Sequence, residues 1–417
     1  MSAYLIIAFL FPILSLPFSL DSIRKDFGNW KIYIFLLSSF LAALAYGYTP
    51  VNNRPDLVSY FSMAEVLGEM PFLDAVSSSI KGEEYLYLLN ILLWIGGKFD
   101  LHLIPAISVF LVYYICFYIT CDFAISEGFE SKCVFAYIVF CIVTINYYGI
   151  VNNVRNILAF CLVGLAVYRD LYKNKLDIGT ILLYLLPITL HRSAIIFLLL
   201  RFIILIPGIY KFFLIFIAVE VLPLTAFLYS HINVFSNSNW LTSIIRTIIY
   251  KSYWFYRNYE SSWAITVSQS GSQSLSKIVY IFLAVVDCIV ISMIQKTELS
   301  NKETETLSNT KGLSKYGDFC FCVGIVTIAC APMPMPEYWR FVSALIALSG
   351  PLLLFAIREK KQLYSQFYKL TYLVSPVALV LWVRELIRCD YGELIIGVLF
   401  MNPLFIVFKD IVDFILG

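Results

Sequence analysis

The chain has 417 residues, of which 60% are hydrophobic and 14% are charged. Soluble domains are about half apolar and about a quarter charged, so this composition excludes a soluble globular protein. It predicts an all-α, polytopic integral membrane protein. The formal net charge of +2 identifies no partner, and we expect no nucleic-acid binding.

Apolar runs predict about 12–13 transmembrane helices, in a single domain over residues 1–417. The first run lacks a basic region ahead of it, so we interpret it as a retained helix and not as a signal peptide. A further run, Tyr85–Gly96, is too short to span and predicts an interfacial or re-entrant helix. The main runs are Ala3–Leu20, Trp30–Tyr48, Leu101–Cys121, Cys133–Tyr148, Val154–Asp170, Ile178–Leu190, Ala194–Pro207, Ile209–Tyr229, Ile278–Gln295, Phe319–Ala331, Phe341–Ile357, Tyr368–Trp382 and Leu394–Phe408.

The two runs that flank His191 are shorter than the roughly 17–25 residues of a full span. They predict two short or tilted helices that meet at His191, although one span over 178–200 is the alternative. Lysine- and arginine-rich loops stay cytoplasmic. Those of this chain share one side only if two helices flank His191, which places His191 outside. Residues 49–100 and 230–277 then form large outer loops, and 296–318 forms a flexible cytoplasmic loop.

Basic residues sort by type on this predicted topology, with lysines mostly inside and arginines mostly outside. Arginine presents a planar fork that suits phosphate and carboxylate. Arginines on the outer face run against the rule that basic residues stay on the cytoplasmic side, so they indicate a polyanionic ligand at the outer face. The alternative is that they form surface salt bridges and bind lipid headgroups. The outer arginines are Arg54, Arg155, Arg192, Arg246, Arg257, Arg340, Arg384 and Arg388.

Two stretches place cations at the predicted membrane edge. Arg155 opens a helix behind Asn152 and Asn153, where an asparagine N-cap and the helix N-terminus favour an anion. A snorkelling arginine is the alternative. His191 and Arg192 lie in the turn between the short helices, where histidine can exchange protons and arginine can hold a phosphate. Histidine in a purely structural hydrogen bond is the alternative.

Three further positions carry candidate chemistry. Arg340 lies in the first turn of another helix at the same face, as a phosphate ligand or as an interfacial anchor. Asp56 and Glu84 lie in the first outer loop, where carboxylates could orient sugar hydroxyls or accept a proton. Asp56 could equally cap the helix that starts there.

The second outer loop is rich in aromatic residues and arginine, including Trp254 and Arg257. This pattern suits carbohydrate stacking and also suits a helix lying in the interface. The sequence contains no nucleotide-binding loop, Asp-x-Asp motif, serine-nucleophile motif or paired zinc-type histidines. Cys320 and Cys322 have no partner ligands nearby. We therefore expect no metal, no cofactor and no disulfide framework.

Several of these residues together resemble the EpsG-like, Wzy-type polymerases of bacterial surface polysaccharides. The resemblance rests on Asp56 with Tyr60, on Glu84-Tyr85, on Arg155 and on the stretch from His191 to Ala194. It covers roughly residues 45–200. The chain departs from the pattern at Asn156, where these proteins often have glutamine, which weakens any role for the amide rather than for Arg155.

The resemblance implies a GT-C-like membrane glycosyltransferase of the bacterial inner membrane, with its active site facing the periplasm. It would join oligosaccharide repeat units carried on undecaprenyl pyrophosphate, without a metal, and a chain-length regulator protein is a possible partner. The implied roles are pyrophosphate binding by Arg155, Arg340 and Arg192, acceptor activation by His191, Glu84 and Asp56, and sugar binding by Tyr60, Tyr85, Arg257 and Trp254.

Two other functions compete with this interpretation. A flippase or transporter of the same lipid-linked sugar would need charges spread through the bundle and two matching halves, and no halves match. An O-antigen ligase, which moves the finished chain, is the nearest rival among enzymes.

Overall fold

The computed structural model describes residues 10–25, 27–50, 56–79, 85–206, 208, 228–231, 242, 246, 249–250, 253, 271–300, 310–330, 338–358, 369, 373–381 and 383. This part of the chain is all-α. We number its helices in chain order: α1 Pro12–Lys25, α2 Trp30–Tyr46, α3 Asp56–Gly68, α4 Phe72–Ser77, α5 Tyr87–Lys98, α6 Leu103–Ser126, α7 Ser131–Thr144, α8 Tyr147–Asn152, α9 Asn156–Val167, α10 Ile178–Leu190, α11 Ala194–Ile203, α12 Gly271–Ser300, α13 Thr310–Ala329, α14 Tyr338–Leu348 and α15 Gly350–Arg358.

Three of the described helices are long and apolar enough to cross a membrane. They are Leu103–Ser126, which is α6, and the segments Leu275–Gln295 of α12 and Lys311–Ala329 of α13. Helices α14 and α15 would make a fourth span if they cross together, although they meet at an angle of 59°. The protein is therefore an all-α membrane protein.

Helix α9 lies at the centre of the described helices. It packs against α6, α10, α11 and α14. Its sequence is apolar on every side, and nearly all of its residues are buried. A helix that is hydrophobic all round belongs in the interior, so α9 holds its two polar ends at fixed places in the bundle. Its C-terminal end continues directly into one π-helical turn, Tyr168–Tyr172.

The chain breaks at His191 into the two short helices that the sequence predicts. Helix α10 ends at Leu190, and His191 is extended, with its backbone N–H donating to the Pro187 carbonyl. Helix α11 then starts at Ala194. This confirms the prediction of two short helices, and the alternative of a single span over residues 178–200 is wrong.

The structure adds helical segments that apolar runs alone did not indicate. The run predicted over Cys133–Tyr148 ends as a helix at Thr144, and the short helix α8 follows. Helices α12 and α13 extend into both ends of the polar segment 296–318, up to residue 300 and from residue 310. Polar residues continue these helices beyond their apolar sections because helix formation needs no apolar side chain once a helix has nucleated.

Helices α3 and α5 cross in close contact and form a platform beside the N-terminus of α9. A Cβ atom on Gly97 would lie 1.8 Å from the Ala64 carbonyl oxygen, so only glycine permits this approach. Helix α5 is the segment predicted to be interfacial or re-entrant. The Leu88 N–H at its start donates to Thr189 Oγ1 at 3.3 Å, which attaches the platform to the end of α10.

Candidate functional site

The polar site is built where α8 ends and α9 begins. Asn146 caps α8, with its side chain accepting from the Gly149 N–H at 2.8 Å. Arg155 occupies the N-cap position of α9, and Asn152 and Asn153 just before it are buried. The two asparagines do not cap α9, which differs from the sequence-based expectation. The Asn153 amide instead donates to Asp56 of α3, and the Asn152 amide accepts from the Tyr48 hydroxyl and donates to the Tyr148 carbonyl.

The side-chain amide of Asn156 joins two distant parts of the chain. In the orientation that satisfies both of its ends, its oxygen accepts from Arg340 Nη1 at 2.8 Å and Nε at 3.2 Å. Its nitrogen donates to His191 Nε2 at 3.0 Å. Asn156 is only 2% exposed, so water does not compete for these bonds. Asn156 is the position at which the chain departs from the pattern of the family it resembles, and this departure was expected to weaken any role for the amide. The same amide is the common partner of Arg340 and His191.

A carboxylate is connected to this amide through Asn153. The Asn156 nitrogen also donates to Asn153 Oδ1 at 3.1 Å. Asn153 Nδ2 in turn donates to Asp56 Oδ2 at 2.9 Å. Asp56 is the first described residue of α3, and its carboxylate faces the same site. We call the side chains of Asp56, Asn153, Arg155, Asn156, His191 and Arg340 the amide cluster.

Aromatic rings position both arginines of the amide cluster. The Arg155 guanidinium carbon lies 5.7 Å from the centroid of the buried Tyr60 ring, which is cation–π geometry. The Arg340 guanidinium carbon lies 5.3 Å from the ring of Trp339. That ring packs so closely on α8 that a Cβ atom on Gly149 would lie 2.3 Å from it. Both guanidinium groups are half-buried.

Stacked phenylalanines form an apolar layer next to His191. The Phe160 ring stacks on Phe197 at 4.6 Å and on Phe341 at 5.1 Å, and it lies 6.4 Å from the imidazole. Ser193 Oγ lies 2.9 Å from His191 Nε2. Asn156 donates to the lone pair of Nε2, so a substrate hydroxyl reaches that nitrogen only in place of the amide.

The structure brings Asp56, Tyr60, Arg155, His191 and Arg340 together, as the sequence analysis requires of a single site. Arg192 is half-buried in the same turn as His191.

Tyr85 lies just before α5, close in sequence to the Leu88–Thr189 bond. Its ring is half exposed and edge-on to Tyr87, and its backbone has a φ of 66°, which is uncommon for a bulky residue. Glu84, Trp254 and Arg257 lie outside the described residues.

The opposite end of α9 has a different charge pattern. There the cations are paired with carboxylates: Arg201 with Asp170 at 2.7 Å, Arg169 with Asp177 at 2.8 Å and Lys173 with Asp122 at 2.8 Å. Hydrogen bonds from Thr180, followed by those from Arg169, hold the pKa of the Asp177 carboxyl well below its usual range. The amide cluster contains two arginines, Arg155 and Arg340, and one carboxylate, Asp56, and Arg192 lies in the turn next to His191. Positive charge is therefore concentrated at the N-terminal end of α9, where the helix dipole adds to it.

Sequence reasoning missed the side chains that hold the amide cluster in place. Tyr48 follows α2 and donates its hydroxyl to Asn152 Oδ1 at 3.3 Å. Ser193 contacts the imidazole, and Gly149 admits the Trp339 ring. The only signal for them was their position next to residues already singled out, since contacts between distant helices leave no local pattern.

The geometry suits the binding of an anion next to a proton acceptor. Arg155, Arg192 and Arg340 can hold a phosphate group, and His191 and Asp56 can take or orient a proton. Within the described residues, no three His, Cys, Asp or Glu side chains are grouped to hold a metal ion.

No family model matches the chain, and comparisons with curated proteins and with solved structures also return no match. Function is therefore inferred from the amide cluster and from the resemblance in the sequence.

Proposed function

We propose that this chain is a bacterial surface-polysaccharide polymerase of the EpsG-like, Wzy type, with a GT-C-like architecture. It joins oligosaccharide repeat units carried on undecaprenyl pyrophosphate at the periplasmic face of the inner membrane. The observation that carries the proposal is the bond network of Asn156. This network gathers Arg340 and His191 beside Arg155, so four residues of the resemblance, Asp56, Tyr60, Arg155 and His191, lie in one site with a further cation.

In this proposal the arginines bind the pyrophosphate of the donor. Arg155 and Arg340 contact the phosphate oxygens, and Arg192 supports them from the His191 turn. Pyrophosphate gains negative charge as its bond to the sugar breaks, so fixed cations stabilise the transition state more than the bound donor. Tyr60 and Asn156 keep the two guanidinium groups in place before the substrate arrives, which avoids reorganisation during the reaction.

The reaction forms one glycosidic bond and breaks one sugar–phosphate bond. A hydroxyl of the incoming repeat unit attacks the anomeric carbon of the growing chain. The bond from that carbon to the pyrophosphate oxygen breaks, and its electron pair leaves with the lipid pyrophosphate. The hydroxyl proton passes to His191 once the acceptor hydroxyl has taken the place of the Asn156 amide at Nε2, and Asp56 orients the acceptor from the other side of the amide cluster.

Further residues of the outer face belong to the same proposal. Glu84 assists in activating the acceptor, and Tyr60, Tyr85, Trp254 and Arg257 contact sugar rings. A role for Tyr85 in sugar binding is favoured by the hydrogen bond from Leu88 to Thr189, which ties the start of α5 to the end of α10. A chain-length regulator protein is the proposed protein partner.

The test replaces the two arginines and examines the surface glycan by gel electrophoresis. We expect Arg155→Ala and Arg340→Ala each to slow polymerisation about 100- to 1,000-fold, the usual effect of removing an oxyanion contact. The glycan then carries single repeat units while the amount of protein in the membrane is unchanged. Arg24→Ala is the matched control, because Arg24 is an exposed arginine on α1 that pairs with Asp21.

The outcomes separate the competing functions. A normal ladder of chain lengths from both variants would remove the arginines from the mechanism. Polymer that accumulates on the lipid carrier would indicate a ligase. Repeat units that remain on the cytoplasmic face would indicate a flippase.

A further inference from the structure

A second concave site lies on the other side of α3 from Tyr60. It is a cavity of about 480 Å³, within the range of roughly 300–1,000 Å³ of small-molecule sites. Its lining includes Phe61, Ser62, Glu65, Asp100 and His102. We call it the α3 cavity.

Helix α3 separates the α3 cavity from the amide cluster. Leu57, Tyr60, Ala64 and Leu67 form its buried stripe, and Tyr60 on this stripe meets Arg155. The cavity is lined by the neighbouring stripe at positions 58, 61, 62 and 65. Both stripes have the three- and four-residue spacing of a helix face. One short helix therefore presents different faces to two adjacent sites.

The α3 cavity has the opposite charge character from the amide cluster. Two carboxylates, Glu65 and Asp100, line it, and none of the described residues that line it is a lysine or arginine. Both oxygens of Asp100 already accept hydrogen bonds, from the Tyr46 hydroxyl and the His102 N–H, so Glu65 is the carboxylate left for a ligand. Carboxylates accept hydrogen bonds from hydroxyls, and they repel phosphate. The cavity thus suits an uncharged ligand rich in hydroxyl groups and disfavours the pyrophosphate that the arginines suit.

Aromatic side chains complete the lining. The Phe61 ring lies edge-on to the His102 imidazole at 5.6 Å, and the Tyr46 ring lies 5.6 Å from that imidazole on another side. Nδ1 of His102 is buried, and no hydrogen-bond partner for it occurs among the described residues. The flat C–H face of a sugar ring fits against Phe61, since both surfaces are apolar.

The α3 cavity runs along one face of α3, from Val58 to Glu65, which is about 10 Å of helix rise. A chain of sugars in the cavity would lie along this face, and Asp56 and Tyr60 face the amide cluster on the other side of the helix.

We infer that the α3 cavity binds the neutral oligosaccharide of the acceptor, on the face of α3 that is turned away from the amide cluster. This inference rests on the proposed function for the role of the sugar. The binding site itself does not depend on it. Phe61 and Glu65 are the residues that recognise the sugar.

The experiment measures binding of the lipid-free repeat-unit oligosaccharide cut from the surface glycan of the source bacterium. Saturation-transfer NMR on the purified full-length protein in detergent gives the dissociation constant. We expect Glu65→Gln to weaken binding about tenfold, as one lost bond to a charged group does. Ser62→Trp fills the cavity from an exposed position and should abolish binding. Glu69→Gln is the control, because Glu69 is an exposed carboxylate just after α3 that does not line the cavity.

Two measurements distinguish this inference from the proposed function: the sugar affinity of Arg340→Ala and the formation of polymer by the wild-type protein. Arg340→Ala should keep the sugar affinity of the wild type, because the sugar carries no phosphate. Wild-type protein that polymerises but does not bind the oligosaccharide, or unchanged binding in Ser62→Trp, would overturn the α3 cavity site. Binding that is lost in Ser62→Trp, in a protein that makes no polymer, would support the site and overturn the polymerase.

Discussion

Asn156 and Arg340 lie on different helices, yet the amide oxygen of one accepts two hydrogen bonds from the guanidinium of the other, at 2.8 and 3.2 Å. A neutral amide fixes the direction of the guanidinium without cancelling its charge. A carboxylate at the same position would fix it equally well and neutralise it. The choice of amide therefore preserves a cation that is oriented and still able to attract an anion.

Asn156→Asp tests this distinction because it changes the amide to a carboxylate of the same shape. We expect the protein to fold, since Arg340 gains an ion pair, and polymerisation to fall about tenfold or more, since the pyrophosphate loses a contact. The chain-length ladder on a gel is the measurement. Asn174→Asp is the matched control at the lysine-rich end, at an exposed position with a φ of 51° that aspartate tolerates. A full-length ladder from Asn156→Asp would contradict the role given to the Arg340 charge.

Gly149→Ala should displace Arg340 from a distance. The added Cβ atom would lie 2.3 Å from the Trp339 ring, so the ring and the neighbouring Arg340 must shift. Overpacking of this kind costs about 1–3 kcal/mol, which thermal unfolding in detergent can detect. Gly179→Ala is the control, because its Cβ would meet Asp177 Oδ1 at an ordinary 3.5 Å.

Replacing Trp339 by a smaller side chain tests the cause of that loss of stability. Trp339→Leu combined with Gly149→Ala should destabilise the protein less than the sum of the two single changes. Strictly additive changes in the unfolding temperature would show that the two side chains do not compete for the same space.

Asp177 gives a prediction for pH. Its pKa is lowered in the folded protein, first by the hydroxyl of Thr180 that donates to it. A carboxylate of this kind stabilises the fold above its unfolded pKa of about 3.9, and the stabilisation is lost as the pH falls through the folded pKa. Asp177→Ala should therefore lower the unfolding temperature at pH 7, and the difference from wild type should shrink only below about pH 4. A difference that is constant from pH 7 to acidic pH would mean that the charge of Asp177 does not contribute.

The proposed topology can be tested with single cysteines. Arg192→Cys, in the turn of the amide cluster, should react with a membrane-impermeant maleimide added from the periplasmic side. Asn174→Cys, at the lysine-rich end of α9, should react only after the membrane is opened. Position 174 is exposed and 192 is half-buried, so both are accessible, whereas eight of the nine described native cysteines are buried. Reaction of Arg192→Cys only from the cytoplasmic side would reverse the orientation.

The sequence was sufficient for the helices around His191. Two apolar runs of less than span length, separated by a histidine and an arginine, predict a break. Helix α10 ends at Leu190 and α11 begins at Ala194, which are the residues at which the two runs border the break. The start of α9 after Arg155 followed from the same logic of a polar residue at a helix N-terminus.

The partners of these residues could not be predicted in the same way. Hydropathy identifies helices, but it does not identify which helix ends meet. The bonds of Asn156 to Arg340 and His191 join α9 to α14 and to the break before α11. The pairing of Tyr48 with Asn152 likewise depends on tertiary packing. Asn156 illustrates the difficulty, because the residue that departs from the family pattern lies at the centre of the network.

The hairpin of α10 and α11 is fixed at both of its ends. At its tip His191 binds Asn156, and at its base Asp170, next to the end of α9, binds Arg201 at 2.7 Å and Tyr184 at 2.9 Å. Arg340 is carried instead by α14, so the two groups that share the Asn156 amide are held in place by separate elements of the bundle.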